Sequence, residues 1–267
     1  RGKDMFVPRL EQLDPADLPR RQITIKASEG KSNFWLTMKA PGSIGALKLQ
    51  QCDIPEPGDH DVLVMTKAVG VNFRDVMAAT GLLPAEAEPD PAYLALGLEA
   101  SSVVVKVGKK VKKFKAGDRV VGMGRRTLIA YQIAPEDRLY KLPDNLSFDE
   151  AVTIPSTFTT AHHAINHVAR LKKGETVLIH LGTGGVGLAA IQYAQNIGAR
   201  IISTAGSEAK RDYLRKLGIE HVFNSRSLSF YDDVMAATNG EGVDVVLNAL
   251  PGPFIEKGIQ LLKPFGR

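Results

Sequence analysis

The chain has 267 residues, of which 44% are hydrophobic and 24% charged, and its formal net charge is +5. These proportions are typical of a globular protein and exclude a chain that is mainly disordered. The single cysteine, Cys52, excludes an internal disulfide framework and a zinc site built from several cysteines. No apolar run reaches membrane-spanning length and no signal-peptide core opens the sequence, so we expect a cytoplasmic protein without membrane or nucleic-acid partners.

The first part of the chain predicts a linker followed by a β-rich domain. Residues 1–33 are charged and contain prolines, which is typical of a linker. In residues 34–150, short apolar runs alternate with Gly, Pro and Asp turns and predict strands, with one short helix over "NFRDVMAATG". Asn145 or Ser147 then caps another short helix, and "TAHHAINHVARL", residues 160–171, predicts a longer one.

The second part, residues 151–267, alternates buried strands with helices. "TVLIH", "RIISTA", "HVF" and "VDVVLNAL" each precede a predicted helix. This βαβαβαβα order is typical of an open parallel sheet with helices on both faces. The sequence therefore predicts an α/β protein of two domains, the first rich in β-strands and the second doubly wound.

The segment "HLGTGGVG" carries the pattern G-x-G-x-x-G directly after a predicted strand and at the start of a helix. In that setting Gly182 permits a tight turn, Gly184 lets the backbone approach a pyrophosphate, and Gly187 lets helix and strand pack closely. A glycine-rich turn without a ligand is the alternative. The strand–helix units around the loop favour a bound dinucleotide.

The end of the second predicted strand indicates which dinucleotide binds. An NAD site usually places Asp or Glu about 20 residues after the glycines. Here "STAGSEAKR" presents Ser207, Lys210 and Arg211, with Glu208 as the only acid nearby. A hydroxyl and cations suit the 2′-phosphate of NADPH, and Arg226 in "NSRS" can reach the same pocket. The alternative is that Lys210 and Arg211 are solvated charges on a helix face.

Two other motifs have simpler interpretations than a functional site. His163 and His167 have the spacing of a helical metal pair, but no Glu or Cys completes the site, so we expect no metal. The run "KVGKKVKKFK" contains six lysines, interleaved with Val107, Val111 and Phe114 as apolar anchors. It predicts a solvated loop; a weaker hypothesis is that it attracts an acidic carrier protein by long-range steering.

Several motifs carry a family resemblance. "LSFDEAVTIPSTFTTAHHA", "VLIHLGTGGVGLAAIQYA" and "GVDVVLNAL" resemble the medium-chain dehydrogenase/reductase superfamily in its non-zinc, quinone-reductase-like branch. The combination of "NFRD" and "NSRSLSF" resembles the enoyl reductase domains of polyketide synthases and animal-type fatty acid synthases. The resemblance spans roughly residues 34–267 and implies a GroES-like substrate domain beside a Rossmann domain. It also implies NADPH-dependent reduction of a trans-2-enoyl thioester on an acyl carrier protein, with neighbouring synthase domains as partners.

The resemblance further implies the roles of individual residues. Asn72, Thr160 and the backbone of residues 248–250 should border the nicotinamide, and residues 183–186 should cover the pyrophosphate. Phe73 and Leu83 are assigned to the substrate pocket; Leu83 stands where some relatives carry a tyrosine, so it cannot supply that proton. The complete set expected to bind the cofactor is Asn72, Thr160, Gly182, Thr183, Gly184, Gly185, Val186, Gly187, Ser207, Lys210, Arg226, Asn248, Ala249 and Leu250.

The proton donor cannot be named from this sequence. In the family a lysine and an aspartate are the usual candidates, and we expect both beyond Arg267. Two alternatives to a synthase enoyl reductase stay open: a free-standing quinone or 2-alkenal reductase of the same fold, and a nucleotide-binding structural module without turnover.

Overall fold

The computed structural model describes residues 32–38, 41–84 and 95–267 of the chain. The predicted linker, residues 1–33, lies outside these ranges except for its last two residues, and Asn33 already begins the first strand. Within the described ranges, no helix is both long and apolar enough to cross a membrane. The expected domain boundary at residue 150 stays a prediction.

The β-rich part contains two antiparallel sheets. The strands are β1 (Asn33–Thr37), β2 (Lys48–Cys52), β3 (Asp61–Gly70), β4 (Glu99–Val107), β5 (Arg119–Met123), β6 (Tyr131–Pro135) and β7 (Leu139–Lys141). β1 pairs with β2, and the other five form one sheet in the order β6-β3-β4-β5-β7. Inward-facing valines such as Val62 and Val104 form its core, because alternate residues of a strand share one face.

The lysine-rich run, residues 106–115, begins with the last two residues of β4 and continues as the loop to β5, which is anchored in this core. Phe114 is buried among the valines, and the partly buried Val107 and Val111 pack against the same cluster. Each of the six lysines in the run is exposed. The interpretation of these three apolar residues as anchors of a solvated loop is therefore confirmed.

Helix α1 (Phe73–Ala79) follows β3 and matches the short helix expected there. Asn72 is its N-cap, and the Asn72 backbone N–H donates to Asp75 Oδ2 at 2.9 Å, as in a capping box. Ala78 and Ala79 bury the inner face of the helix against Met38 and Leu96. The opposite face, which includes Phe73, is exposed.

Three helical segments connect the two kinds of sheet. Ser147 caps α2 (Phe148–Ala151) through a reciprocal pair with Glu150, so of the two expected caps the serine is used. Next come α3 (Pro155–His162) and a π-helical segment (His163–Ala169). The single helix expected over residues 160–171 was therefore wrong in two respects. The observed helix begins earlier, at Pro155, because proline is suited to the first helical position. Its second half is a π-helix and not a regular α-helix.

The second part is a parallel sheet with helices on both faces, which confirms the α/β prediction. Its elements are β8 (Thr176–Ile179), α4 (Gly185–Ile197), β9 (Arg200–Ala205), α5 (Glu208–Lys216), β10 (His221–Asn224), α6 (Phe230–Ala237), β11 (Val245–Leu247) and α7 (Pro253–Gln260). The strand order is β10-β9-β8-β11, with every pair parallel. Val177 and Ile179 pack on the side of α4, while Leu178 packs with Phe230 of α6 on the other side.

Candidate functional site

The carboxyl ends of β8 and β11 lie side by side although β9 and β10 separate them in the sequence. The chain leaves β8 toward one side of the sheet and later returns to its other side, which makes this edge a topological switch point. The glycine loop, residues 181–187, follows β8, and residues 248–252 follow β11. Ligands of open α/β sheets bind in the crevice at such a point.

The contact between strand and helix demands two of the loop glycines. A Cβ on Gly187 would lie 2.5 Å from the carbonyl oxygen of Leu181 and 2.7 Å from Gly182 Cα. On Gly182 it would lie 2.1 Å from Ser203 Oγ in the adjacent strand. Gly184 is different, because its Cβ would meet only the Leu181 oxygen at 3.3 Å. Strand and helix thus touch at Gly182 and Gly187, while the middle of the loop stays open to solvent.

The open middle of the loop lies at the start of a long helix. Gly184 is the N-cap of α4, and both Gly184 and Gly185 are exposed, with the half-buried Thr183 and Val186 on either side. A helix start carries unpaired N–H groups and the positive end of the helix dipole. This cradle of small residues therefore fits a pyrophosphate.

A buried histidine holds the base of the loop. His180 is only 2% exposed, and its Nδ1 lies 3.0 Å from the hydroxyl of Thr204 at the end of β9. The same hydroxyl accepts the N–H of Leu181, a residue with a positive φ of 53°. Burial lowers the pKa of His180 to about 4, so the ring is neutral at pH 7. Sequence reasoning missed this pair, although a polar ring ending an apolar strand was a usable signal.

The acid at the start of α5 is neutralised by its own helix. Glu208 accepts hydrogen bonds from Arg215 at 2.7 Å and from Arg211 at 2.5 Å, and these bonds lower the pKa of its carboxyl. Arg211 also donates to the carbonyl of Ala205 at 3.1 Å. Lys210 is exposed and forms no ion pair within the described residues. Of the two cations in "EAKR", Arg211 is thus committed to Glu208 and Lys210 is not.

Arg226 reaches the same edge from the next strand. A Cβ on Gly206 would lie 2.7 Å from Arg226 Nε, so the guanidinium lies across the glycine that precedes Ser207. The neighbouring Ser225 is buried, and its Oγ has no hydrogen-bond partner among the described residues. This edge therefore offers the cations Lys210 and Arg226, and its acid Glu208 is already hydrogen-bonded, which fits the 2′-phosphate expected there.

Asn72 is held from two sides by buried carboxylates. Asn72 Nδ2 donates to Glu99 Oε1 at 3.0 Å, while the Asn72 backbone N–H donates to Asp75. The other oxygen of Glu99 accepts the backbone N–H of Ser156 at 2.8 Å, in the first turn of α3. Asn72 shares a cleft of about 570 Å³ with Glu99, Thr157 and Gly185. The structure thus brings Asn72 and the glycine loop to one cleft.

The remaining expected residues lie in separate surroundings. Thr160 lines a second cleft, of about 490 Å³, together with Val246 and Leu247 of β11. The Asn248 side chain fixes the next loop: its Nδ2 donates to Leu250 O at 2.8 Å and its Oδ1 accepts Leu250 N–H at 3.0 Å, which leaves Ala249 exposed. For Asn72, Thr160 and residues 248–250 the role beside a nicotinamide stays a prediction.

The two residues assigned to the substrate pocket are placed differently from each other. Phe73 is 76% exposed at the first position of α1. Leu83 is half-buried and packs with the cluster of Ala78 and Leu96 behind the same helix. Neither assignment to a substrate is tested by these positions, and both stay predictions.

The histidines of the helical segment contact aromatic rings. The ring centroids of His163 and His167 are 5.9 Å apart, and His162 lies 5.5 Å from Tyr193. Within the ranges given above, the structure shows no group of three or more His, Cys, Asp or Glu residues arranged to hold a metal ion.

Two family profiles match the chain. The one described as the alcohol dehydrogenase GroES-like domain matches residues 58–144, and the one described as zinc-binding dehydrogenase matches residues 185–267. The first range contains the whole five-stranded antiparallel sheet, and the second contains α4 and the last three strands of the parallel sheet.

Individual proteins resemble the chain over most of its length. A phenolphthiocerol/phthiocerol polyketide synthase of Mycobacterium tuberculosis is 40% identical over 256 residues, which are 95% of this chain but 12% of that protein. The crystal structure of CurK enoyl reductase is 39% identical with a TM-score of 0.85, over 88% of this chain and 72% of that one. The quinone oxidoreductase of Escherichia coli complexed with NADPH is 29% identical with a TM-score of 0.77, over 86% and 70% of the two chains.

Proposed function

This chain belongs to the enoyl reductase family of polyketide synthases within the medium-chain dehydrogenase/reductase superfamily, and on that premise we propose that it reduces the α,β double bond of a trans-2-enoyl thioester with NADPH. The fold is one that binds a nicotinamide cofactor. The observation that carries the NADPH part of the proposal is the edge after β9. Arg226 lies across Gly206 there, Lys210 forms no ion pair among the described residues, and Glu208 is already bonded to two arginines.

Each part of the cofactor has residues that suit it. The exposed backbone at Gly184 and Gly185 would hold the pyrophosphate at the start of α4. Ser207, Lys210 and Arg226 would hold the 2′-phosphate, since a phosphate dianion favours hydroxyl donors and cations. When bound, the nicotinamide supplies the hydride that is added to the β-carbon of the enoyl group.

The residues around the nicotinamide position the substrate and exclude water. We assign this role to Asn72, Thr160 and the loop of residues 248–250, whose backbone is fixed by the Asn248 amide. Preorganised donors near the thioester oxygen would stabilise the negative charge that develops there. Leu83 has no proton to donate, so the proton for the α-carbon comes from another source.

The substrate class follows from the relatives. The polyketide synthase relative is a long protein of which this chain spans 12%, so we propose that the enoyl chain arrives on an acyl carrier protein next to further synthase domains. The lysine loop between β4 and β5 would attract such a carrier if it is acidic. Lys106 and Lys110 of this loop already pair with Glu56 and Asp59, which leaves the remaining lysines to provide the long-range field.

Oxidation of NADPH tests the reaction when crotonyl thioester, a quinone or no acceptor is added to this chain and, in parallel, to a longer one that continues past Arg267. We expect turnover with the thioester. Turnover of the quinone alone would favour the second candidate function, a quinone reductase, which the similarity to the E. coli enzyme supports. Binding of NADPH without turnover of either acceptor by both the shorter and the longer chain would contradict both functions and favour a structural nucleotide-binding module.

The cofactor preference has its own test, in Lys210→Ala. Loss of one charged contact to the 2′-phosphate costs about 1.5–3 kcal/mol, so the Kd for NADPH should rise about 10- to 150-fold. The Kd for NADH should stay within about twofold, because NADH has no 2′-phosphate. Lys216→Ala, in the last turn of the same helix, is the matched control and should change neither. Equal weakening of both cofactors by Lys210→Ala would refute the assignment.

A further inference from the structure

The buried carboxylate of Glu99 joins parts of the molecule that are distant in the sequence. Glu99 is the first residue of β4 and is 3% exposed. Its two oxygens accept from different partners: Oε1 from Asn72 Nδ2 at 3.0 Å, and Oε2 from the backbone N–H of Ser156 at 2.8 Å. The preceding strand leaves room for it, because a Cβ on Gly70 would lie 2.5 Å from Glu99 Oε1.

The first turn of α3, which contains Ser156, also contacts the glycine loop. Thr157, the next residue in α3, has its methyl carbon 2.8 Å from the position that a Cβ on Gly185 would take. The first turn of α3 therefore lies directly on the backbone at the start of α4. Asn72, Glu99, Thr157 and Gly185 all line the same cleft. One carboxylate thus links the amide of Asn72, through the first turn of α3, to the backbone expected to hold the cofactor.

A carboxylate is the group that this position requires. Both partners are N–H donors, and a carboxylate accepts at both oxygens, whereas the glutamine amide accepts at one end and donates at the other. Burying a charge is costly unless it is well hydrogen-bonded, so an apolar side chain would be the better choice if only packing mattered.

We propose that Glu99 is a positioning residue for the reduction. It acts through Asn72, whose rotamer it fixes, and through the first turn of α3, whose distance from the glycine loop it sets. This role rests on the proposed enoyl reductase function, in which Asn72 borders the nicotinamide. Glu99 itself is not a group that reacts with the substrate.

Steady-state kinetics of Glu99→Gln test the role. The glutamine can keep one of the two hydrogen bonds, so we expect kcat with crotonyl thioester to fall about 10- to 100-fold while the chain stays folded. In the Asn72→Ala background the same substitution should lower kcat by a smaller factor than in the wild type, because the route through Asn72 is already lost and only the one through α3 remains. An unchanged kcat in Glu99→Gln, or independent effects of the two substitutions, would overturn the proposal.

A control variant, Glu175→Gln, separates a positioning role of Glu99 from a general loss of stability. Glu175 also accepts a backbone N–H, from Lys172 at 2.8 Å, and an arginine hydrogen bond, from Arg267 at 2.7 Å, but it lies before β8 and outside the cleft. Both bonds end on Oε2, so Glu175→Gln removes the charge from that oxygen and should lower the Tm without a matching loss of kcat. If kcat in both variants simply followed the loss of Tm, Glu99 would have a structural role only.

A spectroscopic readout keeps this test independent of the reaction. The side-chain amide resonances of Asn72, assigned by their loss in Asn72→Ala, should shift and broaden in Glu99→Gln and stay unchanged in Glu175→Gln. Unmoved resonances in Glu99→Gln would overturn the positioning role even if the wild-type chain fails to reduce the thioester. Failure of the wild type with shifted resonances would instead overturn the proposed function alone.

Discussion

The two sides of the cleft place their functional residues by different means. In the glycine loop the decisive contacts are local, since Gly187 touches Gly182 and the Leu181 carbonyl. On the β-rich side Asn72 depends on Glu99, 27 residues away, and Glu99 depends on Ser156, a further 57 residues along the chain. The first kind of site can be built from a short segment. The second exists only after distant strands and helices have packed.

The largest predicted loss of stability and cofactor binding is in the glycine loop, where the decisive contacts are local. Gly187→Ala would press a Cβ against backbone atoms at 2.5 and 2.7 Å that cannot move without opening the strand–helix contact. We expect a loss of about 3 kcal/mol in the free energy of unfolding and no measurable NADPH binding, checked by urea titration and cofactor fluorescence.

Gly258→Ala is the control for that substitution. This glycine also lies in a helix, but its Cβ would meet only Val246 Cγ1 at an ordinary 3.4 Å. Alanine there should leave stability unchanged or raise it by about 1 kcal/mol, since glycine is a poor helix residue. Similar losses in both variants would show that the loop glycine has no special steric role.

Acid pH should test the side-chain anchor at the base of the glycine loop, His180, although its contact with Thr204 crosses to the neighbouring strand. His180 has its pKa lowered from 6.5 to about 4 by burial, so below pH 6.5 the unfolded chain takes up a proton that the folded chain refuses. Stability is thus complete above pH 6.5 and declines as the pH falls toward 4. The difference between these two pKa values corresponds to a loss of at most about 3 kcal/mol in the free energy of unfolding.

Urea unfolding between pH 7 and pH 4 measures this decline, with His180→Asn as the comparison. The asparagine cannot titrate, so its stability should fall less steeply over the same range. His221→Asn, on a half-buried strand residue, should retain the steep wild-type dependence. Parallel curves for the wild type and His180→Asn would contradict the role given to the ring.

A smaller loss of stability is expected on the β-rich side of the cleft, where the contacts join distant parts of the sequence. Asp75 accepts the Asn72 N–H at 2.9 Å with one oxygen and the Gly97 N–H, 22 residues away, at 2.8 Å with the other. Asp75→Asn retains a single acceptor oxygen, which leaves one buried N–H unpaired at a cost of about 2 kcal/mol. Chemical denaturation should show this loss. If the variant is as stable as the wild type, the distant contact at Gly97 contributes nothing to the placement of Asn72.

The same division explains what the sequence could and could not predict. The glycine loop, the order of strands and helices, and the reach of Arg226 depend on local spacing and on parallel strands ending at one edge, so they were predictable. Glu99 was not, because nothing local distinguishes a glutamate in "GLEASS" from a strand-end acid exposed to water. His180 and Thr204 were missed for a related reason, since their contact crosses between neighbouring strands.

The π-helical segment has a consequence for comparing this chain with its relatives. A π-turn holds one residue more than the α-helix it interrupts, and each residue of an α-helix turns the chain by about 100°. Removing one residue from residues 163–169 would restore a regular helix while keeping Thr160 and Leu171 on the faces they occupy now. We therefore expect the deletion of a single residue to be tolerated here. A relative with a regular α-helix at this place would align with this chain through a one-residue gap in the segment.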